Sequence, residues 1–445
     1  MHRRSILAGI SFAAAAVAGT LSAPEAKAAG AAAKGAGDAA AGATPPLFAD
    51  NSQFWFETER VFGSSSYGVA QFGEVLVTSQ AIESGNYDSW YEQWNATADR
   101  IAKEAASSLA RGHRVSARDG FLRAGSYYSN SEFFLHENPN DPRVLRAFKL
   151  GVECYRKAAS LWDQPITPVE IPYEGTTLPG YFHRVDATSK RRPTLILHTG
   201  FDGSAREMHY TSARAGVERG YNVLAFDGPG QYEALRRGLV FRPDWEKVIT
   251  PVVDFLLKQP NVDPKKIALM GESLGGELAP RAAAFEKRLA ALIANDGLFD
   301  YAAPHLARFP ADRQATIKDE LRAEHAPDID KRLEAAMKQS PTARWAILHG
   351  MFATGAKTPR EYYAKVLDYN LGNGIAEKIS CPTLICEAED DMFFKGQPQM
   401  LYDHLTCPKT LIRFTRAEGA GAHCQVGNYR LSNARIFDWL DETLG

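Results

Sequence analysis

Residues 266–276, Lys-Ile-Ala-Leu-Met-Gly-Glu-Ser-Leu-Gly-Gly, constrain the fold of this chain more than any other stretch. The apolar run from Ile267 to Met270 stops abruptly at Gly271-Glu272-Ser273-Leu274-Gly275 and gives way at once to a helix-forming segment. A strand can turn into a helix that sharply only if the flanking positions are small. A Cβ two residues before or after Ser273 would strike the adjoining strand or helix. Ser273 is thereby presented on a tight turn, as a nucleophile has to be. Gly-x-Ser-x-Gly also arises by chance around an ordinary turn serine, so its meaning rests on its surroundings.

Those surroundings alternate. Thr167 to Tyr173 and Thr176 to Arg184 read as two strands about a tight turn at Glu174-Gly175. Then come a strand at Thr194 to His198, a helix near Ala205 to Arg219, a strand at Asn222 to Phe226, a helix near Asp244 to Lys258, the strand Lys266 to Met270, a helix after Ser273 and a strand at Ala290 to Ile293. Near-continuous apolar strands alternating with helices imply a parallel sheet covered on both faces. Ser273 then sits at the carboxyl end of a central strand, where open α/β sheets place their sites. From about Tyr301 to Glu377 helical signals replace the alternation, as where Thr358-Pro359 opens the run Tyr362, Tyr363, Val366, Leu367. Such an insert between strands reads as a lid. The alternation resumes with Pro382 to Cys386, a helix near Pro398 to Leu405, Thr410 to Phe414 and a closing helix from Asn428 to Leu444.

Ahead of the sheet the pattern is helical. Trp90, Trp94, Ala98, Ile101, Ala105 and Leu109 form one apolar stripe, and Leu145, Phe148, Val152, Tyr155 and Ala159 a second, opened by Asp141 as N-cap and Pro142 at the first helical position. The aromatics Trp55, Trp90, Trp94, Tyr127, Tyr128, Phe133 and Phe134 are expected mainly in a core, with some lining a pocket beneath.

The start of the chain has the form of an export leader. His2-Arg3-Arg4 runs into the apolar stretch Ile6 to Leu21 and then into Ala26-Lys27-Ala28. The pair Arg3-Arg4 before Ser5-Ile6-Leu7 is similar to a twin-arginine signal, with an ordinary secretory signal as the alternative. The organisation expected is a leader over 1–28, a flexible Ala/Gly linker over 29–46, a helical domain over 47–163 contributing to the lid, and an α/β catalytic domain over 164–445 carrying the insert at about 301–377. The protein is expected in the periplasm or outside the cell. The apolar stretch is short and alanine-rich for a membrane anchor, and a formal net charge of -2 gives no nucleic-acid footprint. Cys154, Cys381, Cys386, Cys407 and Cys424 show no CxxC pair and no metal spacing. They read as buried small hydrophobes, with a bridge from Cys407 to Cys381 or Cys386 left open.

Serine needs a base, and the base needs a group that fixes its tautomer and stabilises its charged form. On sheets of this kind the acid and then the histidine follow the serine along the chain. Glu389-Asp390-Asp391 follows the strand ending at Cys386, and His423, preceded by Gly419-Ala420-Gly421-Ala422, follows the next strand. Asp391, directly before Met392-Phe393-Phe394, is the preferred acid, with Asp390 and Asp296 as alternatives. His198, His349 and His113 are weaker candidates for the base. An oxyanion requires two backbone donors: the N–H of Leu274 and one from His198-Thr199-Gly200-Phe201-Asp202-Gly203, assigned to Phe201 with Asp202 as the alternative. Asp227-Gly228-Pro229-Gly230-Gln231 does not fit a nucleotide loop, no metal set is present, and no cofactor is implied.

Together with Arg118 to Phe134, Asp227 to Gln231, and His423-Cys424-Gln425 before Phe437-Asp438-Trp439-Leu440, these motifs resemble the α/β-hydrolases with an N-terminal helical domain, a group that includes FrsA-like proteins, 2,6-dihydroxypseudooxynicotine hydrolases and fungal Ayg-type hydrolases. The likeness spans roughly Phe54 to Leu444. It implies an α/β-hydrolase fold, a Ser-Asp-His triad, cleavage of an ester or of a carbon-carbon bond beside a ketone, and a substrate-positioning role for Glu207. Tyr232 departs from the pattern, where the group continues Asp-Gly-Pro-Gly-Gln with glycine. The expected function is thus an exported serine hydrolase acting on a small acyl substrate, with no stable membrane anchor and with a homodimer compatible with the sequence. A prolyl-oligopeptidase-like peptidase and a catalytically silent ligand-binding protein are the alternatives.

Overall fold

The computed structural model describes residues 47–445, so the leader expected over 1–28 and the linker expected over 29–46 lie outside the described residues. Five α-helices precede the first strand: α1 (Ser52–Ser64), α2 (Phe72–Gln80), α3 (Tyr87–Ala110), α4 (Arg114–Glu132) and α5 (Pro142–Ser160). The starts of α1, α3 and α5 are capped by short polar side chains. Asn51 Oδ1 accepts from Phe54 N at 3.1 Å, and Asp141 accepts from Arg143 N at 2.8 Å with Pro142 opening α5. α3 buries Trp90, Trp94, Ala98, Ile101 and Ala105, whereas Leu109, expected on the same stripe, is exposed in the last turn.

The buried face of α5 is rotated from the one expected. It runs through Val144, Ala147, Gly151, Cys154, Tyr155 and Ala158, while Leu145 is exposed and Phe148 and Val152 are half-buried. Close approach to α4 is the reason. A Cβ on Gly125 would lie 3.2 Å from the Gly151 carbonyl, so small side chains have to face the partner helix. Phe148 packs instead on Tyr232, ring centroids 5.3 Å apart.

Among the described residues the strands form one eight-stranded sheet, in the order β1-β2-β4-β3-β5-β6-β7-β8. They are β1 (Ile166–Tyr173), β2 (Thr176–His183), β3 (Arg192–His198), β4 (Asn222–Phe226), β5 (Val262–Glu272), β6 (Ala291–Asn295), β7 (Thr383–Ala388) and β8 (Lys409–Phe414). β1 and β2 form an antiparallel hairpin, β2 pairs antiparallel with β4, and β3 to β8 are parallel to one another. Both faces are covered. Along β5, Ile267 and Leu269 enter one apolar cluster, while Ala268 and Met270 enter the other, which continues into the core of α1 to α5. Each such aliphatic side chain contributes about 1.5–3 kcal/mol on full burial.

The segment after β3 becomes helical later than the sequence suggests, at His209 rather than near Ala205. Asp227 Oδ1 takes Ala205 N at 2.6 Å and Glu207 Oε2 takes Ser204 N at 2.7 Å, which holds the preceding residues in a turn. The insert after β6 folds as Ala303–Leu306, Ala311–Arg322, Pro327–Gln339, Pro341–Thr354 and Pro359–Val366, and Thr358 Oγ1 caps the last helix by accepting from Glu361 N at 3.1 Å. Insert and N-terminal helices meet: Trp345 Nε1 donates to the Phe133 carbonyl at 2.8 Å, and the two rings stack at 4.7 Å. The two ends of the described chain also meet, because Arg430 donates to Ser66 O at 2.9 Å and Asn433 Nδ2 to Tyr67 OH at 3.1 Å. All five cysteines are free, so neither bridge left open by the sequence forms. Among the described residues no helix is long and apolar enough to cross a membrane.

Candidate active site

β5 ends in the turn that carries Ser273. Its φ of +60° is a left-handed conformation that serine adopts only under constraint, at a cost of about 1–3 kcal/mol. The constraint is packing. A Cβ on Gly271 would lie 2.0 Å from the Gly275 carbonyl, and one on Gly276 would lie 2.0 Å from the Asp296 carbonyl. Ser273 N donates to Asn295 O at 2.6 Å, which ties the turn to the end of β6.

His423 reaches this turn from the loop after β8. Its Nε2 stands 2.9 Å from Ser273 Oγ. Nδ1 faces two carboxylates, Asp391 Oδ2 at 3.0 Å and Asp296 Oδ2 at 2.9 Å. Asp391, on the loop after β7, accepts Phe393 N at 2.7 Å and Phe394 N at 3.1 Å on its other oxygen. Asp296, just past β6, accepts Cys424 N at 2.6 Å and Gln425 Nε2 at 2.9 Å. Burial works against charge on Asp391, but the facing imidazole and the two backbone donors outweigh it and hold the carboxyl below its ordinary range. Burial instead pushes the Asp296 carboxyl up. Although burial disfavours its cation, His423 is held well above its ordinary range, with the Asp391 charge as the main cause. Asp390 is elsewhere, paired with Arg416 at 2.6 Å.

The loop after β3 lies against the turn. A Cβ on Gly200 would come within 2.5 Å of Leu274 N and 2.8 Å of Glu272 O, so only glycine lets the two main chains approach this closely. Phe201 follows directly, and its carbonyl is held by His349 Nε2 at 3.0 Å. From behind, Gln231 donates to Thr199 O while its own Oε1 accepts Gly228 N at 2.8 Å, so Asp227-Gly228-Pro229-Gly230-Gln231 buttresses this loop. His198 is structural, taking Trp245 Nε1 at 3.3 Å, and His113 is exposed at the start of α4.

Ser273 and His423 open into a cavity of about 1320 Å³. Its walls come from three parts of the chain: Phe56, Glu57 and Arg60 of α1, the loops at the sheet's carboxyl ends, and Tyr301, Trp345, Tyr362 and Tyr363 of the insert. Aromatic rings dominate the lining. At one end stands a charge cluster in which Arg60 meets Glu207 at 2.8 Å, Glu57 at 3.3 Å and Asp202 at 3.5 Å. Glu207 also accepts Ser204 N and Tyr210 OH, at 2.7 and 3.0 Å. Burial pushes the Glu57 carboxyl up to about 8 and that of Glu272 up to about 7. The sequence carries no signal for Glu57 and Arg60, an i,i+3 pair on an otherwise ordinary amphipathic helix.

Asp296, His423 and Cys424 place donor atoms within 4.8 Å of one another. They do not fit a metal centre: both His423 nitrogens are engaged, and burial pushes the Cys424 thiol up to about 12, far from the thiolate a metal requires.

A family model described as Esterase FrsA-like matches residues 70–298, and one described as Alpha/beta hydrolase family matches residues 194–428. Hydrolase LUC6 of Fusarium sp is 34% identical over 411 residues, covering 88% of this chain and 96% of that protein. The 20-hydroxy-prefusarin hydrolase FUS2 of Gibberella moniliformis is 33% identical over 411 residues, covering 88% and 96%. Among solved structures, the 2,6-dihydroxy-pseudo-oxynicotine hydrolase superposes with a TM-score of 0.66 at 22% identity, over 86% of this chain and 95% of that one.

Proposed function

The chain belongs to the α/β-hydrolase family, within the group described by the FrsA-like esterase model, and on that premise we propose that this hydrolase cleaves a small acyl compound by nucleophilic catalysis at Ser273. The observation that carries the proposal is the 2.9 Å contact between Ser273 Oγ and His423 Nε2. His423 takes the serine proton as Oγ attacks the carbonyl, and Asp391 holds Nδ1–H and stabilises the imidazolium. The backbone N–H groups of Leu274 and Phe201 stabilise the oxyanion. His423 then protonates the leaving group, and water, activated by the same histidine, releases the acyl-enzyme.

An alkoxide leaving group makes the reaction ester hydrolysis. An enolate leaving group makes it cleavage of a carbon-carbon bond beside a ketone, through the same acyl-enzyme. A cavity roofed by α1 and the insert favours a small organic molecule over a polypeptide, in keeping with FUS2, a relative that is a 20-hydroxy-prefusarin hydrolase. Arg60 and Glu207 form a polar group beside which the substrate is positioned.

Treatment with a fluorophosphonate tests the proposal. Covalent modification that disappears in Ser273→Ala is expected; an unlabelled native protein would leave a ligand-binding role. Product analysis on a β-diketone and a short p-nitrophenyl ester separates the two leaving groups. We further propose export through the leader over 1–28, tested by cell fractionation of the native chain beside an Arg3→Lys, Arg4→Lys variant. Retention inside the cell of the native chain would contradict export.

A further inference from the structure

Behind the charge cluster lies a second, smaller chamber, which shares Glu57, Arg60, Asp202 and Glu207 with the cavity at Ser273. The cluster is therefore a partition between two spaces. The far wall comes from α4, from the turn after β3 with Arg206, and from the segment after β4 with Tyr232.

Arg206 is 7% exposed, and among the described residues no carboxylate stands within ion-pair distance of it. Its guanidinium lies over the Tyr232 ring at 4.8 Å, and its Nη2 has no hydrogen-bond acceptor. The neighbouring acids are committed elsewhere. Glu132 is taken by His136 at 2.8 Å and by the Tyr232 hydroxyl, and Glu207 by Arg60. Asp227 spends its oxygens on Ala205 N and Glu233 N, and burial pushes its carboxyl up to about 7. Asp227 and the Tyr232 hydroxyl act on the guanidinium, yet no carboxylate pairs with it directly; a buried, permanently charged donor left without an ion-pair partner is costly, and guanidinium can only donate. Asn130 Nδ2, on the same chamber, also lacks a partner. The fold makes room for Arg206: a Cβ on Gly151 would lie 2.8 Å from Nη1, and a glycine inside α5 costs about 0.5–1 kcal/mol relative to alanine.

We propose that this chamber is a carboxylate subsite, in which Arg206 receives an acidic group at the far end of the substrate while the scissile carbonyl lies at Ser273. The assignment rests on the acyl-transfer reading of Ser273 and narrows its substrate class to acyl compounds bearing a distal carboxylate. Arg60 and Glu207 lie between the two ends, where a linear substrate has to pass them.

The test compares p-nitrophenyl half-esters of dicarboxylic acids, from succinate to sebacate, with p-nitrophenyl alkanoates of equal length, using the intact protein. The ratio of kcat/KM values, acid-tailed to neutral, should exceed one by about tenfold to a hundredfold at one best length, as befits a buried charge-assisted pair. Arg206→Gln should bring that ratio close to one, Arg206→Lys should restore part of it, and Gly151→Ala, which displaces the guanidinium without removing it, should lower it. A native ratio at or below one at every length, or a ratio unaltered in Arg206→Gln, overturns the proposal. So does a free dicarboxylate that changes turnover of the neutral ester when no preference for acid tails exists, since the chamber would then bind a separate effector. If neither ester turns over and no fluorophosphonate label is taken up, it is the catalytic reading that has failed. Calorimetry with adipate alone then reads the chamber by itself: binding lost in Arg206→Gln supports a carboxylate site, and no binding to the native protein overturns it.

Discussion

Asp296 Oδ2 stands 2.9 Å from His423 Nδ1, on the nitrogen that Asp391 also faces at 3.0 Å. One N–H cannot serve both fully. The difference lies in what else each carboxyl accepts. Asp391 takes two backbone donors on the oxygen turned away from His423, which favours its anion, whereas Asp296 is pushed towards its protonated form by burial. Asp391→Asn should therefore lower kcat about 10³- to 10⁴-fold, near the effect of removing the acid in other triads, and Asp296→Asn about tenfold or less. Steady-state kinetics on the two variants decides between the carboxylates, and the reverse order would make Asp296 the orienting acid.

In the proposed mechanism the same pair controls the pH profile. Catalysis needs neutral His423, and His423 is held well above its ordinary range chiefly by the Asp391 charge. The acidic limb of kcat/KM should accordingly lie above the ordinary histidine value of about 6.5. In Asp391→Asn it should move to lower pH, because an amide does not stabilise the imidazolium. A limb unmoved in that variant would show that another group titrates.

Gly200 tests the oxyanion loop. A methyl group there would press on Leu274 N and Glu272 O, both main chain, so the β3 loop has to lift away from the elbow. Gly200→Ala should lower kcat/KM by about 10²- to 10³-fold, the effect of losing one oxyanion donor, while circular dichroism reports an intact fold.

Stability should fall as pH rises from about 6.5 to 8. Burial pushes the carboxyls of Glu57 and Glu277 up to about 8, and those of Asp227 and Glu272 up to about 7. Such groups favour the folded state most fully below their unfolded values and lose that contribution as pH rises through the folded ones. Burial depresses His183 to about 3 and His198, His305 and His349 to about 4, so their contribution is complete above about 6.5 and does not oppose the decline. Glu277→Gln, at a carboxyl 1% exposed with an unpartnered oxygen, should remove up to about 1.4 kcal/mol per pH unit of that slope, read as Tm against pH.

The parallel sheet and the places of Ser273, Asp391 and His423 are legible because each of these residues lies on the turn or loop after a strand whose apolar run has a clear end, and chain order supplies the rest. The buried face of α5 is not, since Leu145 and Phe148 outrank Gly151 and Ala147 in hydrophobicity, while the packing distance to α4 favours the smaller pair. Nor does local pattern reveal that Ala205 to Glu207 stay in a turn, because the carboxyl that holds Ala205 N belongs to Asp227, on the next strand's loop. Asp296 ranks below Asp391 and Asp390 by sequence, and its contact with the histidine is not legible there, as its rivalry with Asp391 exists only once β6 and β7 lie side by side. Glu57 and Arg60 gain their meaning from a docking of α1 that no spacing encodes.

That docking has a consequence for biosynthesis. The hydrogen bonds of Arg430 to Ser66 and of Asn433 to Tyr67 join a segment made early to a helix made much later. α1, which carries the roof residues Phe56, Glu57 and Arg60, packs early on Trp90 and Phe134, but the turn after it gains this second anchorage only once Tyr429–Leu444 has been made. Nascent chains that have not reached Tyr429–Leu444 should therefore be inert towards acyl compounds, so that hydrolysis begins only after that helix has joined the fold.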